Sequence, residues 1–366
     1  MSKKRILTIL LVISMVLTLF AGCGQSAPAA SNEPTPTTAP TSAPTATAAP
    51  DATATPEGNA EVAKPDGYPS EAIHWIVPAA AGAALDLPTR ALGDKLKLGQ
   101  SIVVENIAGG SQTIGTAEAV NRDANGYTLV TMANACGISQ PLMTQLSYKI
   151  SDLRMIAMIA PPVQSVVAVR ADSKIKTVDD WLAMLKSGEN YAFGITNAGG
   201  FGHMSIASAL SQLGHYGDPN GVMVVYNGSA ENITALLSGE AGFIVADAPD
   251  VMSRVQSGEV RVITVLHDQV CPLYPDAPTI SKYNVNDMST FVGLKWVAVR
   301  SDTPDNIVAW LKQELNKTIQ SDEYQQYLVK QGFGKMGVYS EDEINQILAT
   351  ASADYGKVMK AVGLIK

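Results

Sequence analysis

The sequence is poor in the residues from which most chemical centres are built. Its 366 positions hold three cysteines, Cys23, Cys136 and Cys271, too few and too far apart for a disulfide framework or a cysteine zinc site. Four scattered histidines, His74, His203, His215 and His267, argue against a histidine-based metal centre. Charged residues make up only 16% of the chain, and no basic cluster occurs beyond Lys3-Lys4-Arg5. Nucleic acid is therefore not an expected partner. The net charge is −8, or −11 once those three leader residues are set aside. No G-x-S-x-G nucleophile elbow is present, and the one G-x-G-x-x-G string, Gly332 to Gly337, follows no strand. The expectation is a chain without metal, cofactor or catalytic centre. With 46% hydrophobic residues it still has ample material for a core.

What is there begins with an export leader. Lys3-Lys4-Arg5 precedes a mostly apolar stretch, Ile6 to Phe20, too short for the ~20 residues of a spanning helix. Leu19-Phe20-Ala21-Gly22-Cys23-Gly24 resembles a bacterial lipobox, in which the cysteine is lipidated and becomes the first residue. This predicts a signal peptide over 1–22 and a lipid on Cys23. From Ser26 to Ala60, 29 of 35 residues are Ala, Pro, Thr or Ser. Such a segment has nothing to bury, so 23–66 reads as a lipidated, disordered tether. The expected location is extracytoplasmic, anchored to the outer face of the cell membrane.

From Tyr68 onward short β-rich runs alternate with helical patterns, the mark of an α/β fold. Strands are expected at Ile73–Val77, Ile102–Val104, Thr128–Thr131, Gln164–Arg170, Tyr191–Ile195, Val222–Tyr226, Gly242–Ala246, Val260–Leu266 and Phe291–Val299. Helices are expected at Leu85–Leu98, from about Thr113, from Thr177, and near Asp305–Ile319, Glu323–Lys330 and Glu341–Val362. Roughly 300 ordered residues exceed one hydrophobic core. Two lobes of mainly parallel sheet are therefore predicted, 67–170 with 288–366 and 171–287, enclosing a ligand cleft at the carboxyl ends of the strands.

Three loops there each follow a strand and open a helix. They are Val77 to Asp86, Asn106 to Gly115, and Gly194 to His203. Their small side chains let a ligand approach the backbone, and free N–H groups at a helix start suit an anion. None carries Lys or Arg, so an anion there would rest on amides, hydroxyls and water. Cys136, Cys271 and the four tryptophans are expected in the core, a Cys136–Cys271 pair being left open.

In order along the chain, Tyr68-Pro69-Ser70 before Ile76-Val77-Pro78, Glu105-Asn106 with Gly109 and Thr113-Ile114-Gly115, Asn125-Gly126-Tyr127-Thr128-Leu129, Val225 to Ala230, Ser257 to Arg261, and Pro275 to Thr279 are similar to motifs of one family. That family is the extracytoplasmic receptors of tripartite tricarboxylate transporters, also called Bug receptors. The resemblance implies a periplasmic-binding-protein-like fold. It also implies a monomer that binds a small carboxylated ligand between its lobes and serves membrane permease subunits. It carries ligand binding onto Ala80, Ala81, Gly82, Ala83, Thr196, Asn197 and Gly199, with hydroxyls from Ser111 and Thr113. Asp247 would project from a strand end of the second lobe. Asp86 and His203 match recurrent family positions, either as ligand contacts or as helix-start residues. The first loop departs from the family's V-P-F-A-P-G-G-A-T-D at Ala79, Ala81, Ala83 and Leu85, which leaves the acid unspecified. The rival readings are a surface sensor or adhesion protein on the same fold, and a hydrolase built on Ser205 and His203.

Overall fold

The structure, a computed structural model, describes residues 61–226 and 228–366. The expected leader, Cys23 and the tether as far as residue 60 lie outside the described residues. β1 (Ile73–Val77) leads into α1 (Asp86–Lys95), and β2 (Ile102–Asn106) into α2 (Thr113–Asn121). β3 (Thr128–Ala133) leads into a π-helical turn, Ala135–Ser139, which continues as α3 (Gln140–Met143). β4 (Leu153–Met158) and β5 (Val163–Arg170) follow, then α4 (Val178–Lys186), β6 (Tyr191–Thr196) and α5 (Phe201–Gln212). Next come β7 (Gly221–Tyr226), α6 (Ser229–Ser238), β8 (Phe243–Asp247), α7 (Met252–Gln256) and β9 (Val260–Val265). β10 (Val292–Gly293), β11 (Lys295–Arg300), α8 (Asp305–Ile319), α9 (Asp322–Lys330) and α10 (Glu341–Ala361) complete the chain.

Two sheets result, β2-β1-β3-β11-β4 and β10-β5-β8-β6-β7, with β9 also paired to β5. β1 runs parallel to β2 and β3, and β6 to β7 and β8, as the βα alternation requires. β5 and β11 run antiparallel to every neighbour, so both sheets are mixed where mainly parallel ones were expected. These strands enter from the other lobe, without a crossover helix on their own sheet, and nothing holds them to the parallel direction.

The same two strands move the lobe boundaries. β5 pairs only within the second sheet, so the chain leaves lobe one between Met158 and Val163, ahead of the expected Arg170. The expected strand Phe291–Val299 divides at Leu294: Val292–Gly293 pairs with β5, and Lys295–Arg300 with β3 and β4. Apolar pattern alone reads through such a bend, because both pieces are buried.

Packing follows the sequence closely elsewhere. Trp75, Trp181 and Trp296 are fully buried, and Trp310, Leu311, Leu315 and Ile319 bury one stripe of α8. Thr177 and Asp180 form the expected capping box on α4. Cys136 and Cys271 are buried and unpaired.

At the bend, the buried Asn134 holds three partners. Its Nδ2 donates to the Val292 carbonyl at 2.9 Å and to the Tyr355 hydroxyl at 3.0 Å, while its Oδ1 accepts from Leu294 N–H at 2.7 Å. Asn134→Ala leaves these groups buried without partners and is expected to lower unfolding free energy by about 2–4 kcal/mol in urea titration.

Candidate functional site

A cleft of about 430 Å³ lies between the two sheets, walled by the ends of β1, β3, β6, β7 and β8 and by the start of β11. It draws together all three loops singled out from the sequence, and a fourth, Gly228-Ser229 at the start of α6.

The first loop presents Ala80, Ala83, Ala84 and Leu85 to the cleft. Two of its expected amides are engaged within the loop. Gly82 N–H donates to Asp86 Oδ2 at 2.7 Å, and Ala83 N–H to the Ala80 carbonyl at 3.2 Å. The N–H groups of Ala80, Ala81, Ala84 and Leu85 have no protein partner among the described residues. Ala81 and Gly82 are exposed and lie outside the cleft wall.

Asp86 stands behind this loop. Its carboxylate accepts from Gly82 N–H, from Arg90 Nε at 2.9 Å and from Asn106 Nδ2 at 2.8 Å. Burial pushes its pKa up, but the hydrogen bonds of Arg90, Gly82 and Asn106 outweigh burial and hold it below the usual carboxylate range. Every polar contact the structure gives Asp86 is structural.

The second loop takes four consecutive residues through left-handed backbone. Gly109 and Gly110 accept φ of +125° and +56° freely, whereas Ser111 at +50° and Gln112 at +76° cost about 1–2 kcal/mol each. Ser111 and Gln112 line the cleft, and the buried Gln112 Oε1 has no hydrogen-bond partner among the described residues. The Thr113 hydroxyl turns back to the Gly110 carbonyl at 2.7 Å and is outside the wall.

The third loop presents Thr196, Asn197, Ala198, Gly200, Phe201 and Gly202. Gly199 N–H is occupied by His203 Nδ1 at 3.0 Å. His203 is buried beneath the loop, and burial lowers its pKa to about 4, so it is neutral at physiological pH. From lobe one, Ser139 Oγ donates to the Gly199 carbonyl and Gln140 Nε2 to the Ala198 carbonyl at 3.1 Å. Ser205 is buried within α5, its hydroxyl donating to the Phe201 carbonyl at 2.7 Å, and no bond joins it to His203.

The helices that open on the cleft share one property. α1, α2, α5 and α6 begin at Leu85, Gln112, Gly200 and Gly228 with no side-chain cap among the described residues. Of the helices that start elsewhere, α4, α9 and α10 are capped by Thr177, Ser321 and Ser340, while α7 and α8 have no side-chain cap. At the start of α5 the N–H groups of Phe201 and Gly202 have no protein partner among the described residues and the positive end of the helix dipole faces the cleft, whereas at α1 the Asp86 and Leu87 N–H groups donate to the Ala83 carbonyl.

The charged side chains of the wall are Asp247, at the end of β8, and Lys295, at the start of β11. Lys295 Nζ is 3.9 Å from Asp247 Oδ2. Burial and the neighbouring Asp250 carboxylate push the Asp247 pKa up to about 7, and Lys295 draws it back. Sequence reasoning found Asp247 but missed Lys295 and the start of α6. Lys295 sits in a run, Lys295-Trp296-Val297-Ala298-Val299, whose apolar pattern marks it only as the edge of a strand.

Because the folded pKa of Asp86 is depressed, its contribution to stability is present above the unfolded carboxylate value and is lost as pH falls through the folded one. Asp86→Asn is expected to cost about 1–3 kcal/mol near neutral pH, with the gap to the parent closing in acid melts.

Residues 89–364 match the family model described as tripartite tricarboxylate transporter family receptor. Protein BugT of Bordetella pertussis is 27% identical over 315 residues, 84% of this chain and 94% of that protein. Among solved structures, an R. palustris protein determined with adipate superposes with a TM-score of 0.74 at 22% identity, covering 81% of this chain and 98% of its own. MatC from Rhodopseudomonas palustris, determined with bound malate, gives 0.70 at 17% identity over 80% and 99%. A TctC solute-binding protein from Polaromonas gives 0.62 at 26% over 80% and 99%. The two R. palustris structures share the two-lobed fold. Among the described residues no helix is long and apolar enough to cross a membrane. The chain belongs to the tripartite tricarboxylate transporter receptor family, as a solute-binding receptor.

Proposed function

We propose that the protein captures a small carboxylate in the cleft and delivers it to the membrane permease subunits of a tripartite tricarboxylate-type transporter. The observation that carries this reading is the set of backbone N–H groups on the cleft that have no protein partner among the described residues. They are the amides of Ala80, Ala84 and Leu85 in the first loop and of Phe201 and Gly202 at the start of α5. An anion at these amides completes hydrogen bonds that the protein leaves open, and the helix dipole of α5 favours it further. The ligand contacts in this reading are the amides of Ala80, Ala84 and Leu85, the hydroxyls of Ser111 and Thr196, and the first turn of α5.

Asp86 and His203 hold the first and third loops from behind. The adipate and malate of the two R. palustris structures are acids of the proposed class. Export by the leader and lipid attachment at Cys23 would place a monomeric receptor on the outer face of the cell membrane, within reach of a permease. The reading requires no covalent chemistry.

A thermal-shift panel of mono-, di- and tricarboxylates on refolded, ligand-free protein tests this. At ~100 times its dissociation constant a ligand stabilises by roughly 2.7 kcal/mol, a rise of several degrees. Sugars and cations should give none. No rise with any acid, from a cooperatively melting protein, favours the surface sensor or adhesion reading. Thr196→Val is expected to weaken acid binding about tenfold, the value of one hydrogen bond, without moving the melting temperature of the empty protein.

A further inference from the structure

Lys295 is a buried ammonium that the protein leaves underused. The residue is 5% exposed and lines the cleft, yet its ammonium makes no hydrogen bond among the described residues. Its ion pair with Asp247 spans 3.9 Å, beyond hydrogen-bond distance, and its other neighbour is the Phe333 ring, 5.3 Å from Nζ to centroid. An ammonium has three N–H donors, and burying them without acceptors is costly. The pair also joins the two sheets, since β11 belongs to one and β8 to the other. Lys295 therefore stands at the base of the cleft with donors to offer.

The groups around Asp247 can be named element by element. The turn after β8 brings Asp250, whose Oδ2 is held by the Ser229 hydroxyl of α6. β11 brings Lys295, and β7 brings the phenol of Tyr226, which donates to Glu240 at 2.8 Å. β5 brings Ser165, whose buried hydroxyl has no hydrogen-bond partner among the described residues, and the Tyr274 hydroxyl donates to the Ala248 carbonyl at 2.8 Å. Two carboxylates thus share one ammonium. A further anion brought to Lys295 would put three carboxylates around it.

We propose that Lys295 and Asp247 read the far end of the bound acid, Lys295 donating to an acceptor group there and Asp247 taking up a proton from solvent as that group arrives. The inference rests on the carboxylate reading of the cleft and adds its specificity. The favoured ligand has one carboxylate on the helix starts and a second at Lys295. Uptake of one proton offsets the charge of the second carboxylate, and the protonated Asp247 can donate to it. Asp247 stands close enough to neutrality for this exchange, because burial and Asp250 already raise its pKa. His203, neutral throughout this range, contributes no titration of its own.

Calorimetric titration of the purified full chain separates the outcomes. The probes are two matched pairs, adipate with hexanoate and succinate with butyrate, plus 6-aminohexanoate, which carries a cation at its far end. Runs in two buffers of different ionisation heat count the protons. At least one diacid should bind about tenfold or more tightly than its monoacid partner, with net proton uptake. Its affinity should fall by up to about tenfold per unit as pH rises past the Asp247 titration, while that of the monoacid stays flat.

Lys295→Gln should bring the diacid-to-monoacid ratio towards one, and Asp247→Asn should abolish the pH slope. An unchanged ratio in Lys295→Gln overturns the proposal, as does tighter binding of 6-aminohexanoate than of adipate. If the lysine variant fails to fold, the parent's proton count and the Asp247→Asn slope decide, and a diacid slope that survives in Asp247→Asn overturns it. Monoacid binding without diacid preference leaves the carboxylate reading standing and removes this one. If none of the five acids binds, this proposal falls, and the thermal-shift panel decides the carboxylate reading.

Discussion

Asn134 joins three parts of the chain that must agree for the cleft to exist: the turn after β3, the bend at Leu294 and the C-terminal helix α10. The bend forces the choice. A strand that continued straight from Val292 to Arg300 would lie in one sheet, and the two lobes would have one fewer connection. By accepting from Leu294 N–H and donating to the Val292 carbonyl, Asn134 takes over the hydrogen bonds that the interrupted ladder gives up. The cleft opens directly beside it, and Asn134 is itself part of the wall.

Around that connection the chain divides its polar groups into two kinds. On the loops, backbone N–H groups face the cleft while side chains work behind it. Asp86 holds the first loop through Gly82 and Asn106, and His203 holds the third through Gly199. At the base, formal charge is carried by Asp247 and Lys295 alone among the described wall residues. The loops supply partial charges fixed by the backbone. The base supplies a charge balance that a single proton can change.

Much of this was legible in the sequence, and the failures have physical causes. Strands such as Phe243–Asp247, buried over its first four residues, read as continuous apolar runs, and the helix at Asp305–Ile319 announced itself by its stripe. The order of family motifs from Tyr68 to Thr279 carried the two-lobed fold. Strand direction was not legible, because a residue pattern is the same for either direction of β5 and β11. Nor was the fate of an amide. Gly82, Ala83 and Gly199 occupy the expected loops, but whether an N–H faces a ligand or a neighbour depends on φ and on partners distant in sequence. Asp86 and His203 carried genuine signals of importance whose meaning, support from behind the loop, only contacts reveal. Lys295 carried none, since its role comes from Asp247 on the opposite sheet.

The bonds that Ser139 and Gln140 make to the third loop have a consequence for motion. They run from lobe one to the carbonyls of Gly199 and Ala198, on the loop whose neighbouring amides face the cleft. Parting the lobes at this point means giving up both. At about 0.5–1.5 kcal/mol each, they weight the joined arrangement by roughly five- to 150-fold before any ligand arrives. Whatever parts the lobes at this point, a solute or water, has to supply acceptor and donor groups in place of those two bonds.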